Sequence, residues 1–166
     1  AGGAELVRHL IDRGHTKIAG YFKSDDIQGH QRYSGFISEL FRSGLIIPDE
    51  NVFWYTTETK ENLFDDPEEV LKRLGDNTAV VCYNDEVAFG LVKCLLSAGR
   101  RVPEDVAVVS FDNSNLSWIS QVPITSLSYE DRNIGRIAAQ KLVDILDGRD
   151  VSSEVLPWTF IQKESS

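Results

Sequence analysis

Residues 79–86 read Ala-Val-Val-Cys-Tyr-Asn-Asp-Glu, five apolar or aromatic residues that run straight into an amide and two carboxylates. The same design recurs at 106–113, Val-Ala-Val-Val-Ser-Phe-Asp-Asn. A continuous apolar run too short for a helix and rich in β-branched residues predicts a strand buried on both faces. Working outward, "KIAGYF" (17–22) and "VFWY" (52–55) read as further strands, and "ITSL" (124–127) as a short one. "VLPWTFI" (155–161) reads as a last extended segment, which Pro157 assigns to an edge or a bulge.

Helical patterns fall between these runs. Ala4, Leu6, Val7, Leu10 and Ile11 form a stripe that Gly14 terminates. Tyr33, Phe36, Ile37, Leu40 and Phe41 form a second stripe, closed by Gly44. In "DDPEEVLKRL", Asp66 is placed to cap a helix, Pro67 to occupy its first position and Glu69 to complete a capping-box-like pattern. Residues 85–99 form a helix ending at Gly99, and 131–147 another, with Ile134, Ile137, Ala138, Leu142, Ile145 and Leu146 inward and Gly148 as its stop. Alternating strands and helices with fully apolar central strands predict an α/β fold: an open parallel sheet with helices on both faces.

Composition narrows the function. The 166 residues carry 17 Lys and Arg against 26 Asp and Glu, a net charge of −9, with no basic run. Direct nucleic-acid binding by this segment is therefore not expected. No apolar stretch approaches the length of a membrane span. Cys82 and Cys94 lie in apolar and helical runs, as buried thiols of a reducing compartment would. His9, His15 and His30 show no metal-ligand spacing, and His15 suits a helix-to-strand turn. No nucleophile is paired with a base and no phosphate-binding loop occurs, so neither an enzyme nor a cofactor is expected. The chain opens on "AGGAELV" without Met and reads as a piece of something longer.

In open parallel sheets, ligands bind beyond the carboxyl ends of the strands. The residues following each strand are Lys23, Ser24, Asp25 and Asp26; Thr56, Thr57 and Glu58; Asn84, Asp85 and Glu86; Asp112, Asn113, Ser114 and Asn115; and Tyr129, with Arg32 early in the second helix. Asn both gives and takes hydrogen bonds, Asp accepts and Arg presents a planar fork of donors, which together suit sugar hydroxyls. Local roles compete with this. Asp85 can cap the following helix, Asn84 and Asp112 can serve turns, Asp25 and Asp26 can start a helix, and Lys23 can be a solvated charge.

The segments "LIDRGHTKIAGY", "QRYSGF", "CYNDEVAFGLVKCLLSAGRRVPEDVAVVSFDNS" and "ITSLSYEDRNIGRIAAQKLVDIL" closely resemble the sensor domains of LacI/GalR-type bacterial transcription regulators, in order and over almost the whole chain. "FKSDDIQGHQR" and "FWYTTETKEN" resemble the arabinose-responsive members, in which a GntR-type winged-helix head precedes the sensor. The resemblance implies a periplasmic-binding-protein-like fold of two lobes that clamp a sugar, L-arabinose by similarity. This chain would be the C-terminal lobe, with the 131–147 helix crossing to the N-terminal lobe and the DNA-binding head lying outside the chain. It implies Arg32, Asn84 and Asp112 as sugar ligands, with Tyr129, Lys23 and Asp25 as looser matches. It also implies a cytoplasmic homodimer formed through the helix after "NDE" (Phe89, Val92, Lys93, Leu96) beside Leu116–Ile119. DNA would be reached only through the head, and no membrane is involved. A sugar-binding component of a transport system shares the fold. A phospho-receiver domain also places acidic groups after its first strand, but needs a Lys where Ser128-Tyr129 stands.

Overall fold

The computed structural model describes residues 2–46, 48–129 and 134–166. Helix α1 (Gly2–Asp12) leads into β1 (Ile18–Lys23), α2 (Ile27–Arg42), β2 (Val52–Tyr55), α3 (Pro67–Leu74), β3 (Ala79–Cys82), α4 (Asp85–Ser97) and β4 (Ala107–Phe111). A short helix α5 (Asn115–Ile119), β5 (Thr125–Ser128), α6 (Ile134–Leu146) and β6 (Thr159–Ile161) complete the described chain. The six strands form one sheet in the order β2-β1-β3-β4-β5-β6. The first five are parallel; β6 runs antiparallel to β5, with Leu127 opposite Phe160. The parallel expectation thus holds for five strands and fails at the edge next to Pro157, where an added strand has one neighbour and can take either direction.

Strand side chains alternate between faces, and the core divides accordingly. Ile18 and Phe22 of β1, Val81 of β3 and Val109 of β4 pack with Leu6, Leu10, Phe36 and Leu40 of α1 and α2. Ala19, Tyr21, Val80, Cys82 and Val108 pack on the other face with Val70, Leu91 and Leu95 of α3 and α4. Both cysteines are buried free thiols. Local chemistry fixes the helix starts. The Asp66 carboxylate accepts from the backbone N–H of Glu68 and Glu69 at 3.1 and 3.2 Å, while the Glu69 carboxylate turns to Lys72 at 3.5 Å. His15 bonds Thr78 Oγ1 at 2.9 Å, tying the turn before β1 to the turn before β3.

Three sequence expectations need correction. Phe41 is 84% exposed, so the core stripe of α2 ends at Leu40. Val92 of α4 is buried in the core instead of facing outward, while Phe89, Leu96 and Lys93 stay partly or fully exposed. Helix α6 forms, but none of its residues is buried; Ile134, Leu142, Ile145 and Leu146 are all exposed. Its expected first residues, 131–133, lie outside the described set. No described helix is long and apolar enough to cross a membrane.

Candidate functional site

Strand order reverses between β1 and β3, where the chain leaves β1 toward β2 and later continues on the other side. Connections from adjacent strands diverge there and open a crevice at the carboxyl ends. Arg32 reaches this crevice from α2. Asp26 caps that helix by accepting from Gly29 N at 2.6 Å. Gly29 packs against the Lys23 carbonyl where a Cβ has no room, so the first turn sits directly on the end of β1. Arg32 falls on the same buried helix face as Gly29 and Phe36.

The Arg32 side chain is 7% exposed, and each of its two terminal nitrogens has a partner. One terminal nitrogen donates to the Tyr83 carbonyl oxygen, and the other to Asp112 Oδ1 at 2.9 Å. Its guanidinium lies between two rings, 4.7 Å from the Tyr83 centroid and 4.4 Å from that of Phe111. A planar, weakly hydrated cation tolerates such a sandwich, and the rings fix its plane. The Tyr83 hydroxyl in turn donates to Asp26 Oδ2 at 2.7 Å. Burial first, then the hydrogen bond to Asp26, pushes the Tyr83 phenol up to about 12.

Asp112 follows β4. Its side chain stays 45% exposed beside the buried Arg32. Desolvation raises its carboxyl above the ordinary carboxylate range, with the Arg32 charge pulling the other way and Asp85 adding to the rise. Asp112 and Asn113 have φ of +96° and +46°, a left-handed pair that costs non-glycine residues of order 1–3 kcal/mol each. Neighbouring groups hold it: Asp112 N donates to Leu127 O at 2.8 Å and Asn113 N to Ser126 Oγ at 3.0 Å.

Asn84 sits at the same strand end but in a different role. It is the N-cap of α4, with Oδ1 accepting from Val87 N at 3.0 Å. Its amide nitrogen has no protein partner among the described residues. Asp85 is not that cap. It occupies the first helical position, is 1% exposed and points inward. Asn84 Oδ1 takes the N–H of Val87, and the Asp85 carboxylate turns instead to the hydroxyls of Ser110 on β4 and Ser126 on β5.

Tyr129 lines the same recess as Arg32, its ring 3.9 Å from Trp158 at 31°. Burial raises its phenol. Arg32, Gln28, Gln31, Phe111, Tyr129 and Trp158 line a recess of about 160 Å³. Lys23 and Asp25 form a separate, more peripheral cluster. Lys23 Nζ lies 3.5 Å from Asp25 and 3.3 Å from Asp26, so it is an ion-paired group and not a freely solvated charge. Asp25 accepts from Thr57 N at 2.9 Å, the main cause that holds its carboxyl down at about 2.

Arg32 and Tyr129 line this recess, and Asp112 adjoins it through its ion pair with Arg32. Asn84 adjoins it through Tyr83, and Lys23 connects to it only through Asp26 and Tyr83. Sequence inspection missed the Tyr83–Phe111 sandwich, the inward carboxylate of Asp85, and Trp158. The sandwich was legible in outline: each aromatic is the last residue before a polar strand end, where its ring faces Arg32. Among the described residues, no cluster of three His, Cys, Asp or Glu could hold a metal.

Comparison with known proteins bears on this arrangement. A periplasmic binding protein-like domain model matches residues 7–166. The arabinose metabolism transcriptional repressor of Halalkalibacterium halodurans is 36% identical over 151 residues, covering 88% of this chain and 40% of that protein. The repressor of the same name from Geobacillus stearothermophilus is 35% identical over 153 residues, covering 90% and 42%. A solved structure of the transcriptional regulator CelR in complex with cellobiose superposes with a TM-score of 0.87 at 30% identity, over 99% of this chain and 51% of that one. The chain thus spans less than half the length of these two repressors. With the sequence motifs, the sheet order and the family match in agreement, the chain belongs to the periplasmic binding protein-like domain family, in the form found as the effector-binding part of LacI-type regulators.

Proposed function

We propose that this domain is the sugar-sensing half-site of a cytoplasmic transcriptional repressor, with L-arabinose as its effector. The observation that carries the proposal is the Arg32–Asp112 pair at the β1/β3 crevice. A guanidinium fixed by two rings and a carbonyl presents its remaining N–H groups in a set direction. A half-exposed carboxylate beside it presents acceptors. Adjacent sugar hydroxyls can satisfy both at once, and a ligand without that hydroxyl pattern leaves polar groups unpaired at about 1–3 kcal/mol each. The amide nitrogen of Asn84 supplies a further donor. The Tyr129–Trp158 stack offers an apolar wall for the C–H face of the ring. Lys23 and Asp25 act at the margin.

In this proposal the sugar is enclosed by a second lobe contributed by chain outside these residues. Helix α6 packs its apolar face on that lobe, which accounts for a helix that buries nothing here. DNA is contacted by a separate head. Two copies associate through the exposed part of α4, with Phe89 and Lys93 beside the Ser120–Gln121 turn. Control then requires that sugar affinity differ between DNA-competent and incompetent states, a coupling typically of about 1–3 kcal/mol. The named relatives are regulators, which favours binding over catalysis.

A thermal-shift panel of pentoses and hexoses on the whole gene product tests this. A sugar at a hundred times its Kd stabilises by about 2.7 kcal/mol, enough to move Tm by several degrees. L-arabinose is expected to give the largest shift. A panel in which no sugar moves Tm contradicts the proposal.

A further inference from the structure

Asp85 is the least expected group near the crevice. It is 1% exposed, and no Lys, Arg or His among the described residues pairs with it. Its carboxylate accepts instead from three uncharged donors. Oδ1 takes the hydroxyls of Ser110 on β4 and Ser126 on β5, the latter at 2.8 Å, and Oδ2 takes the backbone N–H of Ser114 at 2.5 Å. A buried carboxylate without a cation is costly and persists where several hydrogen bonds fix it.

Two of those bonds converge on one short piece of backbone. Ser114 N–H is held directly. Asn113 N–H is held through Ser126, whose Oγ accepts from it at 3.0 Å while donating to Asp85. These are the residues that immediately follow Asp112, so the two bound amides lie within and directly after the left-handed pair at 112–113. Left to themselves, non-glycine residues relax out of that conformation. Asp112 would then carry its carboxylate away from Arg32.

We infer that Asp85 is a positioning residue for the effector site: by binding the amides of Asn113, through Ser126, and of Ser114, it clamps the strained 112–113 backbone and sets the carboxylate of Asp112 against Arg32. The sugar-binding consequence rests on the function proposed above; the clamp itself does not. The device also explains why the carboxylate that sits first in α4 turns inward, since Asn84 already caps that helix.

The test uses the whole gene product with Asp85→Ala, and Val70→Ala as a control. Val70 is a buried residue of α3 remote from the crevice, and its truncation lowers stability without touching the loop. Two quantities are read: amide hydrogen exchange at Asn113 and Ser114 without ligand, and the Kd for L-arabinose. Asp85→Ala is expected to speed exchange at those two amides by about ten-fold or more over the control and to raise Kd by about ten-fold or more. Exchange and Kd both within about three-fold of the control overturn the inference, because a purely structural carboxylate predicts that result. If the wild type binds no arabinose, the sugar assignment fails and the exchange arm alone decides the clamp. Should Asp85→Ala not fold, Ser126→Ala removes the relay to Asn113 and faces the same two criteria at that amide.

Discussion

Helices α4 and α6 are each 13 residues long and both carry an apolar stripe, yet their fates differ. Helix α4 buries seven residues, including Val87, Leu91 and Leu95, against β3, β4 and the aromatic core. Helix α6 buries none. Periodicity records which face of a helix is apolar; it carries no information about what lies beneath that face. The starts differ too. Asn84 caps α4, and the crevice residues surround that cap, whereas the residues before α6 lie outside the described set. The α4 end of the molecule is a finished site scaffold, and the α6 end is, in the function proposed here, half of a joint.

That contrast can be broken or sharpened by substitution. Leu91→Ala under α4 removes a fully buried side chain and is expected to cost about 2–5 kcal/mol in denaturant unfolding of this chain. The matching Leu142→Ala on α6 is expected to change stability by no more than about 0.5 kcal/mol in the same assay. Equal losses would mean that α6 is packed after all. A smaller effect separates the two duties of Asn84. Asn84→Ala should cost about 1 kcal/mol through the lost cap, while Asn84→Ser keeps the cap and should lose only sugar affinity. Calorimetry beside thermal melts distinguishes them.

The titration of Asp112 gives a further comparison, within the crevice. Its carboxyl is held above the ordinary range by desolvation, so the folded state binds this proton more tightly than the unfolded chain does. Its ionisation therefore opposes folding above the raised pKa, and that opposition is relieved as pH falls through it. Sugar affinity should move the other way and weaken over the same window. A pH series of Kd is expected to show this weakening, which Asp112→Asn should abolish. The smallest effect is expected at Tyr21, packed in the α4 side of the core with a hydroxyl that is buried and has no partner among the described residues. Tyr21→Phe should be neutral or slightly stabilising in a melt, since nothing is left unpaired by the loss.

Much of this was legible in the sequence because its signals are local. Apolar runs marked β1 to β5 within a residue or two, Asp66 announced a cap, and Gly14, Gly44 and Gly99 marked helix ends that adopt positive φ. The sequence placed Asp112 after β4 and Arg32 early in the second helix at the same rim, and the two form a pair. What escaped depends on non-local choices. Whether Asn84 or Asp85 caps α4 is decided by hydroxyls on β4 and β5, 25 and 41 positions away in the chain. The direction of β6 depends on where the chain returns after α6. Trp158 reaches the recess only because that antiparallel strand delivers it beside Tyr129.

The account rests on Arg32 and Asp112 facing a shared ligand, and titration calorimetry of L-arabinose against the whole gene product and its Asp112→Ala variant tests this most directly. The account predicts that the substitution weakens binding by about 2 kcal/mol or more, because it leaves donors of the sugar and of Arg32 unpaired in a desolvated cleft. An unchanged affinity in a folded variant would contradict it.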